Sequence, residues 1–161
     1  GLWYKVYGIR IITYNFQHSI HPATLNLAPY TLHPAPYSLN PKKMGKYFDL
    51  EVWKLSKDLA VKIIKLTSEG KLSRNFGLRD QMQRASVSIP SNIAEGDESG
   101  SIANSIRYFR IAKGSSAELR TQLIICKETD LLDTEVFEEL NKLATTISAK
   151  LERLIQARQK E

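Results

Sequence analysis

The sequence predicts an all-α protein, an antiparallel up-down-up-down four-helix bundle that follows an irregular N-terminal extension. After residue 44, apolar residues recur at helical spacing in four segments, which short polar or glycine-containing stretches separate. Five of the six prolines lie before residue 44, where they exclude a regular helix or a central strand. A chain of 161 residues is long enough for one domain with a hydrophobic core. We therefore expect residues 44–161 to form the bundle domain.

The extension, residues 1–43, contains a degenerate repeat, LAPYTLHP at 27–34 and PAPYSLNP at 34–41, and we expect it to be irregular. The chain begins at Gly1, and its first methionine is Met44. We expect the extension to be translated upstream sequence and the natural protein to begin at Met44. The three histidines of the chain lie in the extension, but their spacing matches no common ligand pattern. No metal or other cofactor is therefore expected from His18, His21 and His33.

The net charge of +6 is unevenly distributed along the chain. The extension carries four basic residues and no acidic one, whereas residues 44–161 carry 19 basic and 17 acidic residues. Only local clustering of basic residues can therefore support nucleic-acid binding. The single cysteine, Cys126, excludes an internal disulfide and fits the reducing cytoplasm, which is the predicted location. The sequence has no run of 18 apolar residues, so we expect no membrane as a partner.

The first helix is predicted from about Asp49 to Ser68, with Asp49 as its N-terminal cap and Gly70 as its stop. Asp58 and Lys62 have the spacing of an ion pair on its outer face. Trp53 lies beside the apolar stripe and is predicted to pack in the core. The stripe itself consists of Val52, Leu55, Leu59, Ile63 and Leu66.

The second helix is predicted to begin after Ser73 or Asn75 and to stop at Gly96. Pro90 lies in its interior, where it removes one backbone hydrogen bond and predicts a kink. Beside the apolar stripe runs a row of small or polar residues, which predicts a seam where helices or subunits approach closely. The row consists of Ala85, Ser88, Asn92 and Glu95.

The third helix is predicted from a cap at Ser101 to about Asp130. Its mid-helix Gly114 costs about 1 kcal/mol relative to alanine, so we expect a neighbouring backbone to pass close to it. The fourth helix is predicted to begin at Asp133 or Thr134. The apolar stripes are Ile102, Ile106, Phe109, Ser116, Leu119, Leu123 and Cys126 on the third helix, and Val136, Leu140, Leu143, Ile147, Leu151 and Leu154 on the fourth.

The bundle region lacks the residues that catalysis needs. It has no histidine, no glycine-rich phosphate loop and no Glu-x-x-His pair of the di-iron type. Cys126 occupies an apolar position, which predicts a buried, inert thiol. Glu95 and Glu118 could act as an acid and a base, but capping or interhelical hydrogen bonding is the favoured interpretation. No catalytic residue is predicted, and the protein is not expected to be an enzyme.

A row of basic residues along the third helix predicts a surface for nucleic acid. Arg107, Arg110, Lys113 and Arg120 are spaced by 3, 3 and 7 positions, so they share one side of the helix. Such a row can follow phosphates, and Tyr108 adds an aromatic ring that could stack on a base. Arg79 and Arg84 on the second helix could extend it. The alternative is an ordinary solvated helix face.

Four segments resemble a known family: FDLEVWKLSKDLA at 48–60, GLRDQMQRA at 77–85, SVSIPSNIAEG at 86–96 and GSSAELRTQL at 114–123. Together they make the chain, from about Lys46 to Arg158, similar to the small four-helix bundle proteins encoded in intervening sequences of bacterial 23S ribosomal RNA genes. This resemblance implies a ring-like homopentamer. Residues of these motifs are assigned to structure or to the subunit interface: Ala85, Ser88, Pro90, Asn92, Glu95, Gly96, Gly114 and Glu118.

The resemblance implies little about biochemical activity. Relatives of this family include the accessory variability protein of diversity-generating retroelements, which binds nucleic acid and a reverse transcriptase. We therefore expect a non-catalytic oligomer that binds RNA or DNA through a basic surface. A protein encoded nearby, such as a reverse transcriptase, is a possible further partner. The alternative is a protein-binding scaffold or adaptor with no affinity for nucleic acid.

Overall fold

The computed structural model describes residues 46–161, and four long helices account for most of this range: α1 Glu51–Ser68, α2 Phe76–Glu98, α3 Ile102–Glu128 and α4 Thr134–Gln159. Two short 3-10 turns, Tyr47–Asp49 and Leu72–Arg74, precede α1 and α2. Every regular element in residues 46–161 is helical, which confirms the predicted all-α class. The predictions about residues 1–43, about Met44 as the start and about the three histidines lie outside the described residues.

The helices are arranged so that consecutive ones run antiparallel. α1 packs on α2 and α4, and α3 packs on the same two helices, so α1 and α3 lie at opposite corners. Contacts between neighbours have the register of antiparallel helices: Lys62–Glu139 and Lys150–Glu51 between α1 and α4, Lys113–Glu152 and Arg120–Asn141 between α3 and α4, and Ser88–Ser115 and Gly96–Phe109 between α2 and α3. Short connections favour this arrangement, since each helix must return beside the one before it.

The hydrophobic core lies where the predicted apolar stripes meet. The largest fully buried side chains include Leu59, Ile63, Met82, Ile89, Ile93, Phe109, Leu119, Leu123, Ile147 and Leu151. The stripe of α4 is wider than predicted, because Phe137, Ala144 and Ile155 are also buried. Trp53 packs against this core, and its ring meets that of Tyr47 edge to face at 5.2 Å.

The helix starts agree only in part with the predictions. Asn75 and Ser101 cap α2 and α3, because their side chains accept hydrogen bonds from the backbone N–H groups of Leu78 and Asn104. Asp49, in contrast, lies in the 3-10 turn, and Leu50 precedes α1 without a side-chain cap. Asp133 is the residue before α4, but its side chain makes no capping bond.

Two other predictions about α1 have different outcomes. Gly70 follows the helix with a φ of +65°, the left-handed conformation that favours glycine after a helix. The predicted pair of Asp58 with Lys62 is wrong. Asp58 pairs with Lys57, and Lys62 reaches across to Glu139 on α4.

Gly96 does not stop α2, which continues to Glu98, and the chain turns at Gly100 with a φ of +65°. A methyl group on Gly96 would lie 2.6 Å from Cε1 of Phe109 and 3.1 Å from the carbonyl oxygen of Ser105. This glycine therefore lets α2 and α3 approach closely. α3 ends at Glu128, two residues before the predicted end.

Helix α2 continues through Pro90. The side chains of the next two residues donate to backbone carbonyls in the turn before the proline. Ser91 Oγ donates to the carbonyl of Val87 at 2.9 Å, and Asn92 Nδ2 donates to that of Ser88 at 2.7 Å. The carbonyl that loses its donor at Pro90 is that of Ser86, four residues earlier, so neither bond replaces the missing one; back-bonding of a serine to the preceding turn instead favours a bend.

Candidate nucleic-acid interface

Three exposed basic side chains follow one another along α3, and they curve around it, because each step of three residues turns by about 60° and leaves the first and the last about 120° apart. Arg107, Arg110 and Lys113 are all exposed, and each is separated from the next along the helix axis by about 4.5 Å. The guanidinium group of Arg107 lies over the ring of Tyr108, 5.6 Å from its centroid. These three residues are called the α3 stripe below.

The α3 stripe continues into a groove between α3 and α4 with a volume of about 490 Å³. Its lining consists of Arg110, Lys113, Gly114 and Ala117 from α3, and Glu152, Ile155 and Gln159 from α4. Two cations therefore face one carboxylate. The arrangement suits an anionic group that can accept hydrogen bonds from the cations, such as a phosphate.

Lys113 is held by Glu152 of α4, with 2.8 Å between Nζ and Oε2. The hydrogen bond and the charge of Lys113 lower the pKa of the Glu152 carboxyl, and a hydrogen bond from Gln156 and the charge of Arg110 act in the same direction. A phosphate that binds Lys113 has to compete with this carboxylate. Arg107 and Arg110 form no ion pair within residues 46–161.

Arg120 has a different environment from the α3 stripe. It is half-buried, and its Nε donates to Oδ1 of Asn141 on α4 at 3.2 Å. Arg120 therefore joins two helices, and this contact directs its side chain towards α4.

The two arginines of α2 have different environments, and their place in a common basic surface stays a prediction. Arg79 and Arg84 are five residues apart, which places them about 140° apart around the helix. Arg79 pairs with Asp80 at 3.2 Å, and its guanidinium group lies 4.9 Å from the ring centroid of Phe76. Arg84 is exposed, and the hydrogen bond between Ser88 and Ser115 places it about 9 Å along the bundle from Lys113, the nearest residue of the α3 stripe.

Ser88, from the predicted row of small or polar residues on α2, contacts α3, whereas Glu95 of the same row is exposed. Ala85 is buried, and the hydroxyl of Ser88 is 2.9 Å from that of Ser115 and 3.0 Å from the amide of Asn92. Short side chains here let the two helices come close within one chain. Whether the row also meets another subunit stays a prediction.

The two motif carboxylates do not form a pair. Glu95 and Glu118 are both exposed, and the antiparallel register of α2 and α3 separates them by about 15 Å along the bundle. Glu118 accepts a hydrogen bond from Gln122 on its own helix at 3.1 Å. The interhelical hydrogen bonding that the sequence suggested for these carboxylates is therefore absent from residues 46–161.

The expectation for Gly114 is wrong within this chain. It is exposed, and an added Cβ would meet no atom of the packed structure within 4 Å. No neighbouring backbone in the described range explains this glycine. Cys126, in contrast, is buried as predicted, and burial raises the pKa of its thiol to about 11.

Sequence reasoning missed one polar cluster altogether. Arg158 of α4 pairs with Asp97 of α2 at 3.0 Å, at the end of the bundle where α3 begins. The two residues are separated by 61 positions, and neither lies in a recognised motif. Nothing in the sequence pattern indicates that they meet.

Residues 46–161 offer neither a metal centre nor a helix that could cross a membrane. In this part of the chain, no group of three histidine, cysteine or acidic residues is arranged to hold a metal ion. None of the four described helices combines the length and the apolar character that crossing a membrane requires.

Comparison with known proteins gives a family and similar solved structures. The sequence profile of the family described as 23S rRNA-intervening sequence protein matches residues 48–153. A crystal structure of a protein with unknown function from the S23 ribosomal protein family of Bacteroides thetaiotaomicron is similar with a TM-score of 0.60 and 27% identity, over 65% of this chain and 97% of that one. The comparison with curated proteins gives no match.

Proposed function

We propose that this chain, which belongs to the 23S rRNA-intervening sequence protein family, has a non-catalytic role. In this role, the α3 stripe binds the phosphate backbone of RNA or DNA. One observation carries this proposal. Arg107 and Arg110 are exposed one turn apart, and neither is neutralised by an ion pair within residues 46–161. Their charge is therefore available to a ligand.

The chemistry of the side chains favours phosphate. A guanidinium group presents a planar set of donors that can contact two phosphate oxygens at once. Successive turns of a helix place such groups at a spacing of the same order as the phosphates of a nucleic-acid strand. Nothing in the α3 stripe provides a pattern for base edges, so we expect little sequence preference.

We further propose that the protein acts as a cytoplasmic homo-oligomer, a homopentamer by its family resemblance. Two features of α3 support an interface with another copy. Gly114 is an exposed helical glycine that the chain's own packing does not require. Large apolar side chains are also exposed on this helix, with Ile111, Ile124 and Ile125 between 40% and 45% exposed. A ring would repeat the α3 stripe, so that weak single contacts add up to avidity.

A charge-reversal experiment tests the nucleic-acid proposal. The double variant Arg107→Glu/Arg110→Glu is compared with Lys54→Glu/Lys65→Glu, which changes the net charge equally on the exposed face of α1, at the opposite corner of the bundle. Binding to single-stranded RNA and to duplex DNA is measured by fluorescence anisotropy over a range of salt concentrations. We expect the α3 variant to lose most of its affinity and about two units of salt slope. The α1 control should keep both.

Two results would contradict the proposal. Equal losses in both double variants would mean that net charge alone drives binding. Absence of salt-dependent binding to any nucleic acid would favour the alternative function, a protein-binding scaffold. The exposed apolar residues on α3 are the observation that favours this second candidate, since protein interfaces are built around such side chains.

A further inference from the structure

The groove between α3 and α4 presents a carboxylate next to its two cations. Glu152 lies on α4, and its Oε2 accepts a hydrogen bond from Nζ of Lys113 at 2.8 Å. The side chains of Glu152 and Lys113 are each 45% exposed, so this pair is open to solvent. Arg110 lines the same groove. A ligand that enters the groove to reach the cations therefore meets the carboxylate as well.

Glu152 can accept further hydrogen bonds. A carboxylate has two oxygens with about four acceptor positions in all. Oε2 accepts from Lys113, and Oε1 accepts from Nε2 of Gln156 at 3.2 Å, so one position on each oxygen remains. The hydrogen bond and the charge of Lys113 lower the pKa of the Glu152 carboxyl, so the group is ionised at neutral pH and can only accept.

A carboxylate repels a phosphate, so it suits this groove only if the ligand carries a hydrogen-bond donor beside the phosphate. The sugar-phosphate backbone of DNA offers acceptors alone, whereas each ribose of RNA adds a 2′-hydroxyl that can donate. Carboxylates recognise ribose hydroxyls in this way in dinucleotide-binding sites. The charges of the groove therefore match an RNA strand better than a DNA strand.

The groove has room for one nucleotide. Its volume of about 490 Å³ lies within the range of sites for single small molecules, roughly 300–1,000 Å³. Gly114 and Ala117 add no side-chain atom beyond a methyl group to its lining, which leaves the space next to Arg110 open. Because each sugar follows its phosphate directly in the strand, a phosphate on Arg110 brings a ribose into the same groove.

We propose that the protein selects RNA over DNA through Glu152. The carboxylate accepts a hydrogen bond from the 2′-hydroxyl of the nucleotide whose phosphate binds Arg110, while Lys113 holds the carboxylate in place. This inference rests on the proposed function of the α3 stripe and adds the class of nucleic acid to it. If Glu152 served only to hold Lys113, RNA and DNA would bind equally.

The test uses three single strands of equal length with uracil as the only base: oligouridine, oligodeoxyuridine and 2′-O-methyl oligouridine. They share phosphates and bases, so a difference in affinity reports on the 2′ position. The deoxy strand lacks the oxygen, and the methyl ether keeps it but cannot donate. Binding to the full chain is measured by fluorescence anisotropy at one salt concentration. We expect oligouridine to bind roughly tenfold more tightly than the other two, the effect of one hydrogen bond to a charged acceptor.

Glu152→Gln assigns the preference to this carboxylate. The variant removes the negative charge and releases Lys113, so oligodeoxyuridine should bind more tightly than it does to the wild type, and the ratio of the RNA and DNA affinities should fall to near one. Glu139→Gln is the matched control, because Glu139 is also an exposed residue of α4 that pairs with a lysine, Lys62, but it does not line the groove. This control should keep the wild-type ratio.

Equal binding of oligouridine and oligodeoxyuridine by the wild type overturns this inference and leaves the proposed function intact. A preference for oligouridine that survives in Glu152→Gln, or that the 2′-O-methyl strand shares, also overturns it, because the preference then has another origin. Failure of all three strands to bind at any salt concentration is a different result. It overturns the proposed function of the α3 stripe, and this inference with it.

Discussion

The ring of Phe109 lies against the backbone of Gly96, so close that a methyl group on this glycine would come within 2.6 Å of Cε1 and 2.8 Å of Cδ1. Both residues are buried, and they join α2 to α3 at the end of the bundle where α2 ends and α3 begins. Gly96, which the sequence predicted to stop α2, is therefore a packing contact between two helices. The contact fixes how closely two helices approach at this end of the bundle.

Gly96→Ala should destabilise the protein. Alanine favours a helix interior by about 1 kcal/mol over glycine, but forcing its methyl group against the Phe109 ring costs typically about 1–3 kcal/mol. We expect the packing effect to dominate, since the Phe109 ring is fully buried and has little room to move. Urea unfolding followed by circular dichroism measures the change in the free energy of unfolding. A more stable variant would show that the ring can shift without cost.

Gly114→Ala is the matched substitution on α3 and should have the opposite effect. No atom of the packed chain lies within 4 Å of the added methyl group, so the variant should gain up to about 1 kcal/mol of stability from helix propensity alone. This applies at concentrations where the wild-type chain is monomeric. If Gly114 meets another copy, light scattering at higher concentration should show weaker assembly. Unchanged assembly would place the subunit interface elsewhere.

Cys126 should report on unfolding, because only the thiolate reacts and burial both hides the thiol and raises its pKa to about 11. We expect a thiol-specific reagent to label the native protein very slowly and the urea-unfolded protein rapidly. The control is Ala149→Cys in a Cys126→Ala background, which presents an exposed thiol on α4. Fast labelling of native Cys126 would contradict its burial.

The raised pKa of Cys126 also predicts how the stability of the protein changes at alkaline pH. The pKa of Cys126 is higher in the folded state than its ordinary value of 9.0, so the unfolded state releases this proton first. The contribution of Cys126 to stability is fully present below pH 9.0 and is lost as the pH rises towards about 11. Cys126→Ala should remove this part of the pH dependence, measured as the urea midpoint at several pH values.

Lys113→Gln should raise the pKa of Glu152. The hydrogen bond and charge of Lys113 are the main causes that lower it, so their removal should bring the carboxyl back towards its ordinary value of 4.5. Carboxyl NMR titration measures this directly. In the wild type, the lowered pKa of Glu152 stabilises the folded state above pH 4.5, and this stabilisation is lost as the pH falls. The variant lacks this stabilisation, so its free energy of unfolding should decrease less on acidification. An unchanged titration would mean that the Lys113–Glu152 pair does not persist in solution.

The candidate binding sites were only partly accessible to sequence reasoning. Helical spacing places Arg107, Arg110 and Lys113 on neighbouring turns, and all three are exposed, but their directions around α3 spread over about 120°. The same spacing includes Arg120, but the tertiary contact with Asn141 directs that side chain to α4. Arg79 and Arg84 were expected to extend the row from a neighbouring helix. The register of α2 against α3 places Arg84 about 9 Å along the bundle from Lys113, and a shared surface stays a prediction.

The helical class and the buried faces of the four helices follow from the amino-acid sequence, because the spacing of apolar residues is a local property that each helix carries alone. The cap at Ser101 follows from it as well, whereas Ser73 and Asn75 were both open for α2 until the structure showed the capping bond at Asn75. Packing between helices, in contrast, makes Gly96 a contact with Phe109, leaves Gly114 facing open space, and brings Asp97 to Arg158 at one end of the bundle. These facts depend on the relative position of different helices, and long-range packing sets that position without leaving a periodic pattern in the chain.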